Sequence, residues 1–135
     1  RSTPLYSSAA SDVYKRQGVD LVDIDRVRKL LSKNESKFLS RCFTSDEITY
    51  AKKFSDPSKR LAVRFAAKEA VMKSLGYGWR QINWKDIEIT GGGKPLVKLY
   101  NKASDKVVEN NIDSVHISLS HEDNKAIAFA ISEKK

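Results

Sequence analysis

Asp20 is an acid that folding alone does not explain. It sits in Gly18-Val19-Asp20-Leu21-Val22, an otherwise apolar run with the length of a short strand. Such an acid either takes hydrogen bonds from nearby backbone amides or holds a cation. A companion for the second role is Glu69, four residues before Lys73. Side chains spaced i, i+4 on a helix are neighbours, so Glu69 and Lys73 make either an exposed ion pair of small energetic weight or a working pair. In the working pair Glu69 holds a divalent metal and Lys73 reaches a phosphate bound to it. Magnesium takes one or two carboxylates, keeps several waters and accepts phosphate oxygens, so Asp20 and Glu69 would be a sufficient protein contribution.

Cations gather on the same stretch. Between Lys52 and Lys73 the acids are Asp56 and Glu69, against Lys52, Lys53, Lys59, Arg60, Arg64, Lys68 and Lys73. At about 100° per residue, Leu61, Phe65, Met72 and Leu75 cluster within about 80° as a buried stripe, and Lys68 falls inside it. An ammonium there either snorkels to water or meets an anion. Arg60, Arg64 and Lys68 follow one another at four-residue spacing, an edge that suits a phosphate-rich ligand; the bland alternative is a solvated charged face. Lys68 is also a candidate catalytic base if its pKa is lowered.

Two further groups are weaker signals. Strand alternation from Val115 to His121 puts Val115, Ile117 and Leu119 on one face and His116, Ser118 and Ser120 on the other. His116 is either a surface residue or a phosphate or ribose contact. A Ser-His-Asp hydrolase built on Ser118 or Ser120 lacks a nucleophile-elbow motif. On the first helix, Arg26, Lys29 and Lys33 fall within about 60° of one another, opposite Ile24, Val27 and Leu31. That stripe is a solvated face or a docking surface for an acidic helix.

The elements that must position these residues are short and mixed. Val19–Val22 reads as a strand, followed by a helix from about Ile24 with Asp23 and Asp25 at its positive end. Ser45 can cap a second helix, with Asp46 and Glu47 complementing its dipole. Pro57 opens a long helix that runs to Leu75 and stops at Gly76. Ile87 and Ile89 lead through Gly91-Gly92-Gly93-Lys94-Pro95 into Leu96–Leu99, a hairpin; Asn101–Asn110 is a polar helix; Val115–Ser120 and Lys125–Ile131 form a second antiparallel pair. The order predicts a single small α+β domain with a long central helix on a mainly antiparallel sheet. Residues 1–17, rich in Ser and Ala and without a helix or strand period, read as a leader outside the domain at 18–135.

Composition bounds the function. The chain has 135 residues, 25 Lys and Arg against 17 Asp and Glu, a net charge of +8 and one Cys. The surplus points to an anionic partner. A lone Cys42 excludes a disulfide framework and a Cys-rich zinc module, and the chain shows neither a membrane span nor a signal-peptide apolar region, so it reads as cytoplasmic, with no membrane partner.

Four segments together resemble the holo-acyl-carrier-protein synthase family, the small bacterial 4′-phosphopantetheinyl transferases. They are Gly18-Val19-Asp20-Leu21-Val22-Asp23-Ile24; Arg64-Phe65-Ala66-Ala67-Lys68-Glu69-Ala70 with Lys73, Gly76 and Gly78; Gly93-Lys94-Pro95; and His116-Ile117-Ser118-Leu119-Ser120-His121. The resemblance runs from Gly18 to about Ile131. It implies transfer of 4′-phosphopantetheine from coenzyme A to a serine of apo-acyl carrier protein, with release of adenosine 3′,5′-bisphosphate, in support of fatty acid biosynthesis. It implies Mg²⁺ at Asp20 and Glu69, phosphate and nucleotide contacts from Arg60, Arg64, Lys68, Lys73 and His116, and a loop shaped by Gly76 and Gly78. Arg26 falls where the family meets its acidic carrier protein, with Lys29 and Lys33 on the same face. A homotrimer with sites between subunits is implied as well. The rival reading from another class is a non-catalytic basic nucleic-acid-binding domain using Tyr77, Trp79 and Trp84 for stacking, which leaves Asp20 and Glu69 unexplained.

Overall fold

The computed structural model describes residues 14–134. The first strand, β1, covers Tyr14–Asp23, and the helix α1 covers Ile24–Cys42. A short α2 (Ser45–Ala51) leads to the long α3 (Pro57–Leu75). The hairpin strands β2 (Ile87–Ile89) and β3 (Val97–Leu99), the helix α4 (Asn101–Glu109), and the strands β4 (Ser114–Glu122) and β5 (Lys125–Lys134) complete the order. The larger sheet is antiparallel with order β1-β5-β4, and β2-β3 form a separate pair.

The sheet packs on α3 through small side chains. Ala126, Ala128, Ala130 and Ser132 line the inner face of β5 and are buried, as are Ala66, Ala70 and Ser74 of α3. Contact is close enough that a Cβ on Gly18 would sit 2.1 Å from the Ala70 carbonyl oxygen. A buried Ser132 hydroxyl donates to the Ser74 carbonyl at 2.6 Å, tying strand to helix. On the other side of α3 lie α1, α2 and the β2-β3 pair, so α3 is buried nearly all round. Its interior positions include Arg64 and Lys68 as well as Leu61, Val71 and Leu75.

Several local expectations need correction. Tyr14–Gln17, placed in the leader by composition, belong to β1 and pair with Lys134–Ile131 of β5. Pairing uses backbone groups, so Lys15-Arg16-Gln17 can extend an edge strand that has a long partner. The rest of that expected leader lies outside the described residues. Thr44, and not Ser45, caps α2: its hydroxyl accepts from the Glu47 amide while the Glu47 carboxylate takes the Thr44 amide, a reciprocal capping box. Helix α1 breaks at Asn34, whose extended backbone and carboxamide, accepting from the Lys37 amide, restart the second half. Its opening amides are satisfied from across the chain, since Ile24 and Asp25 donate to the carbonyl and side chain of Asn124 at 2.8 and 2.7 Å.

At its far end α3 stops as read. Gly76 takes a left-handed φ of 85° and donates to the Lys73 and Met72 carbonyls. No helix of the described residues is long and apolar enough to cross a membrane. The outer face of the large sheet carries an open apolar patch: Val19 is 50%, Leu21 57% and Ile127 42% exposed, with Phe129 and Ile131 half-buried beside them.

The Gly18 contact generates a stability prediction. Adding one methyl group in Gly18→Ala forces strand and helix apart and should cost about 1–3 kcal/mol. Thermal unfolding followed by circular dichroism is expected to show a midpoint several degrees lower, and an unchanged midpoint would mean that the close approach is not tight.

Candidate active site

Strand pairing sets where Asp20 points. It lies opposite Ala128, a buried inner-face residue, so Asp20 faces α3 and not the open side of the sheet. There it meets Lys73, whose ammonium donates to Asp20 Oδ1 at 3.1 Å and to the Val19 carbonyl at 3.0 Å. The second oxygen, Oδ2, is buried and takes no hydrogen bond from an amide, a hydroxyl or a cationic group of the described residues. Buried carboxylate oxygens are seldom left so, which marks the position as one that takes something from outside the chain.

Glu69, one turn before Lys73, completes the group. Burial pushes its pKa up, and the neighbouring Asp20 adds to this by its charge and by a hydrogen bond; Lys73 and Arg26 act in the opposite sense. Two carboxylates this close repel each other, and a cation between them relieves the repulsion. The donor set therefore fits Mg²⁺. No cluster of three or more His, Cys, Asp or Glu gathers among the described residues, so waters and ligand oxygens would fill the remaining positions.

The arginine edge is arranged differently from the sequence reading. Arg64 is only 5% exposed; its guanidinium lies 4.4 Å above the Tyr50 ring and donates to the Thr90 carbonyl at 3.4 Å. Its Nε is buried without a partner. Arg60, half-buried, stacks 4.0 Å over Phe54, and the Tyr50 and Phe54 rings meet edge-on at 5.3 Å. The hairpin loop closes against this edge, since a Cβ on Gly91 would come within 2.5 Å of Arg64 Nη2.

Lys68 does not join that edge. It is fully buried, and its ammonium meets Glu47 at 2.7 Å, the Ile87 carbonyl at 2.5 Å and the Trp84 carbonyl at 3.0 Å. Burial lowers its pKa while Glu47 opposes the shift. Three donors with three acceptors leave none for a phosphate or a catalytic role, which corrects the assignment of Lys68 to ligand binding and catalysis. His116 is also apart from the carboxylates within one chain. It pairs in register with Ile131 on the outer face, and its nearest charged neighbour is Glu133 at 3.7 Å. Gly76 caps α3 close to Lys73, and the Gly78 amide donates to the Gln81 side chain at 2.9 Å, so both glycines shape the loop after the helix.

On α1, Arg26 lies close enough to act electrostatically on Glu69, while Lys29 and Lys33 are exposed along the same helix. The sequence reading missed what Lys33 borders. Leu30, Phe38, Phe65 and Trp84 line an open groove of about 490 Å³, with Lys33, Lys37 and Arg41 around it. The signal was present as Leu30, Asn34, Lys37-Phe38 and Arg41 recurring at helical spacing. The aromatic residues of the nucleic-acid reading are largely occupied. Trp84 stacks on Phe65 at 4.6 Å, Tyr77 accepts from Asn110 beneath Lys106, and exposed Trp79 carries Arg80 over its ring.

Fold and site together define a class: a small α+β protein whose carboxylate pair, lysine and arginines suit a cation-bridged, phosphate-bearing ligand. The chain belongs to the 4′-phosphopantetheinyl transferase superfamily, whose family model matches residues 16–130. It is 44% identical over 119 residues to the holo-[acyl-carrier-protein] synthase of Syntrophus aciditrophicus (strain SB), covering 86% of this chain and 93% of that protein. The crystal structure of holo-[acyl-carrier-protein] synthase from Neisseria meningitidis superposes with a TM-score of 0.81 at 32% identity, covering 88% of this chain and 98% of that one. The Helicobacter pylori holo-[acyl-carrier-protein] synthase in complex with coenzyme A gives 0.75 at 34% identity, covering 86% and 98%.

Cys42 borders the groove but is buried, and burial pushes its thiol pKa up to about 11. At pH 8 the thiol is therefore neutral and a poor nucleophile. Iodoacetamide at that pH is expected to alkylate the native protein far more slowly than the protein in urea. Equal rates would contradict the burial.

Proposed function

We infer that this chain transfers 4′-phosphopantetheine from coenzyme A to a serine hydroxyl of an acidic apo-acyl carrier protein, giving holo-acyl carrier protein and adenosine 3′,5′-bisphosphate, in the cytoplasm and in support of fatty acid synthesis. The observation that carries the reading is the Asp20 carboxylate, its Oδ2 buried without a donor, beside Glu69 and Lys73. It is joined to family membership over most of the chain.

In this reaction the serine oxygen bonds to the β-phosphorus of coenzyme A as its proton passes to solvent, and the bond from that phosphorus to the bridging oxygen breaks, so that adenosine 3′,5′-bisphosphate leaves with that oxygen. Negative charge grows on the leaving bisphosphate, and the step is accelerated by groups that meet that charge where it develops. Asp20 and Glu69 would hold Mg²⁺, which when bound offers positive charge to the pyrophosphate oxygens. Lys73 stands next to Asp20 with its ammonium partly exposed and supplies a further cation there. Arg60 and Arg64 provide guanidinium donors for the nucleotide phosphates, Arg60 braced on Phe54 and Arg64 on Tyr50. Gly76 and Gly78 shape the loop beyond Lys73.

The carrier protein docks on α1. Arg26, Lys29 and Lys33 present positive charge, and the groove lined by Lys33, Phe38 and Trp84 takes apolar side chains, an arrangement that suits an acidic amphipathic helix. Three copies assemble through the open sheet face. Val19, Leu21 and Ile127 form an apolar patch of the kind that marks an association surface. His116 lies on that same outer face, so assembly is what would carry it to a neighbouring copy's nucleotide.

Intact-mass analysis of apo-acyl carrier protein, incubated with the enzyme, coenzyme A and Mg²⁺, is expected to show one added phosphopantetheine, absent with EDTA. Asp20→Asn and Glu69→Gln should each slow the gain by about 10²-fold or more. Undiminished turnover in both variants would remove the carboxylate pair from the reaction. Sedimentation analysis offers an independent check of assembly: the wild type is expected as a trimer and Leu21→Arg as a monomer. A monomeric wild type would rule the assembly out.

A further inference from the structure

The buried ion pair of Glu47 and Lys68 lies outside the machinery described above, yet it connects every element around Arg64. Both side chains are shut off from solvent, at 1% and 0% exposure, and the ammonium sits 2.7 Å from Glu47 Oε1. The remaining donors of Lys68 reach the carbonyls of Trp84 and Ile87, at the start of β2. Glu47 Oε2 accepts from the Ile89 amide at 2.7 Å, at the other end of the same strand. Between these points Glu88 takes the Thr44 hydroxyl and, at 2.9 Å, the Tyr100 hydroxyl. Thr90, the next residue, offers its carbonyl to Arg64. A closed path of bonds therefore leaves α3 at Lys68, crosses α2 at Glu47 and β2 at Ile89, and returns to α3 at Arg64, one turn earlier.

Stability alone does not call for such a pair. Well-packed apolar residues commonly replace a buried ion pair at no loss, whereas directed bonds fix the relative placement of the elements that carry them. What is placed here is the environment of Arg64. Tyr50, under its guanidinium, stands one turn after Glu47 on α2, and the Thr90 carbonyl follows directly on the Ile89 amide. With Nη2 held on Thr90, Nη1 donating to the Arg60 carbonyl and the plane stacked on Tyr50, the unpartnered atom is Nε.

We propose that Glu47 and Lys68 are positioning residues for the nucleotide end of the site, holding α2 and β2 against α3 so that the Arg64 guanidinium is fixed in one place for a ligand phosphate. The inference rests on the coenzyme A reading above. It separates two halves of the site: Glu47 and Lys68 govern the grip on the bisphosphate, and the Asp20-Glu69 pair does not depend on them.

The test compares Glu47→Gln with the double variant Glu47→Gln/Lys68→Met, which removes both charges and leaves none unpaired if the single variant fails to fold. Calorimetric titration with adenosine 3′,5′-bisphosphate is expected to show about tenfold weaker binding in each, a coupling of ordinary size for residues in one network. KM for coenzyme A should rise by a similar factor, with kcat, the half-saturating Mg²⁺ concentration and KM for the carrier protein close to wild type. Combining Glu47→Gln with Arg64→Ala should weaken binding no further than Arg64→Ala alone. Additive losses, or unchanged bisphosphate affinity in folded variants that have merely a lower melting temperature, would overturn the proposal and leave the pair structural. The calorimetry needs no turnover. Wild-type protein that binds the bisphosphate without transferring phosphopantetheine would count against the activity and leave the positioning test standing.

Discussion

The close approach of α3 to the three-stranded sheet is the constraint on which the rest of the molecule depends. Alanines, Gly18 and two serines occupy the interface, so the helix backbone lies almost against the strands. Only at such a separation can Asp20, a short side chain on β1, meet Glu69 and Lys73 of the helix. Larger residues at this interface would keep the core apolar and still pull the carboxylates apart. Packing and chemistry are thus set by the same small side chains, and the apolar bulk that would normally stabilise a domain of this size is moved to the far side of α3.

That far side explains why α3 carries both Arg64 and Lys68 indoors. A helix covered on one face can turn its cations to water; one covered on nearly every face must provide acceptors for them. The chain does so with Glu47, four main-chain carbonyls and the rings of Tyr50 and Phe43. Positive charge that composition would assign to a solvated stripe becomes part of the framework, and the residues left for a ligand are fewer and better fixed than their number in the sequence implies.

Much of this could be read in the sequence. Pro57 and Gly76 marked the ends of the long helix, Gly91-Gly92-Gly93 the hairpin, and an acid inside an apolar strand marked Asp20, each because the signal is local: a fixed φ, a left-handed turn, a polar group out of pattern. The fate of Lys68 was not legible, because amphipathic analysis assumes one buried face and the carboxylate that receives Lys68 is Glu47, far away in sequence. Residue spacing also could not separate His116 from the carboxylates, since that depends on which face of a sheet each strand presents. The extension of β1 through Tyr14–Gln17 was hidden for a related reason: it is fixed by the length of the partner strand and not by its own side chains. Ser45 and Thr44 were equally good caps on paper, and one residue of register decided between them.

The strand order has a consequence for how the molecule is made. β5 lies at the centre of the sheet, pairs with both β1 and β4, and its preceding turn supplies Asn124 to the opening amides of α1. Among the described elements it is also the last to leave the ribosome. Until it emerges, β1 has no neighbour, the first helix has no cap from Asn124, and the small-residue seam on α3 has nothing to close against. Such long-range pairing is slow to form and leaves edges open meanwhile. The nascent chain should therefore hold its carboxylates apart until synthesis is almost finished, so that an incomplete product lacks the assembled carboxylate pair.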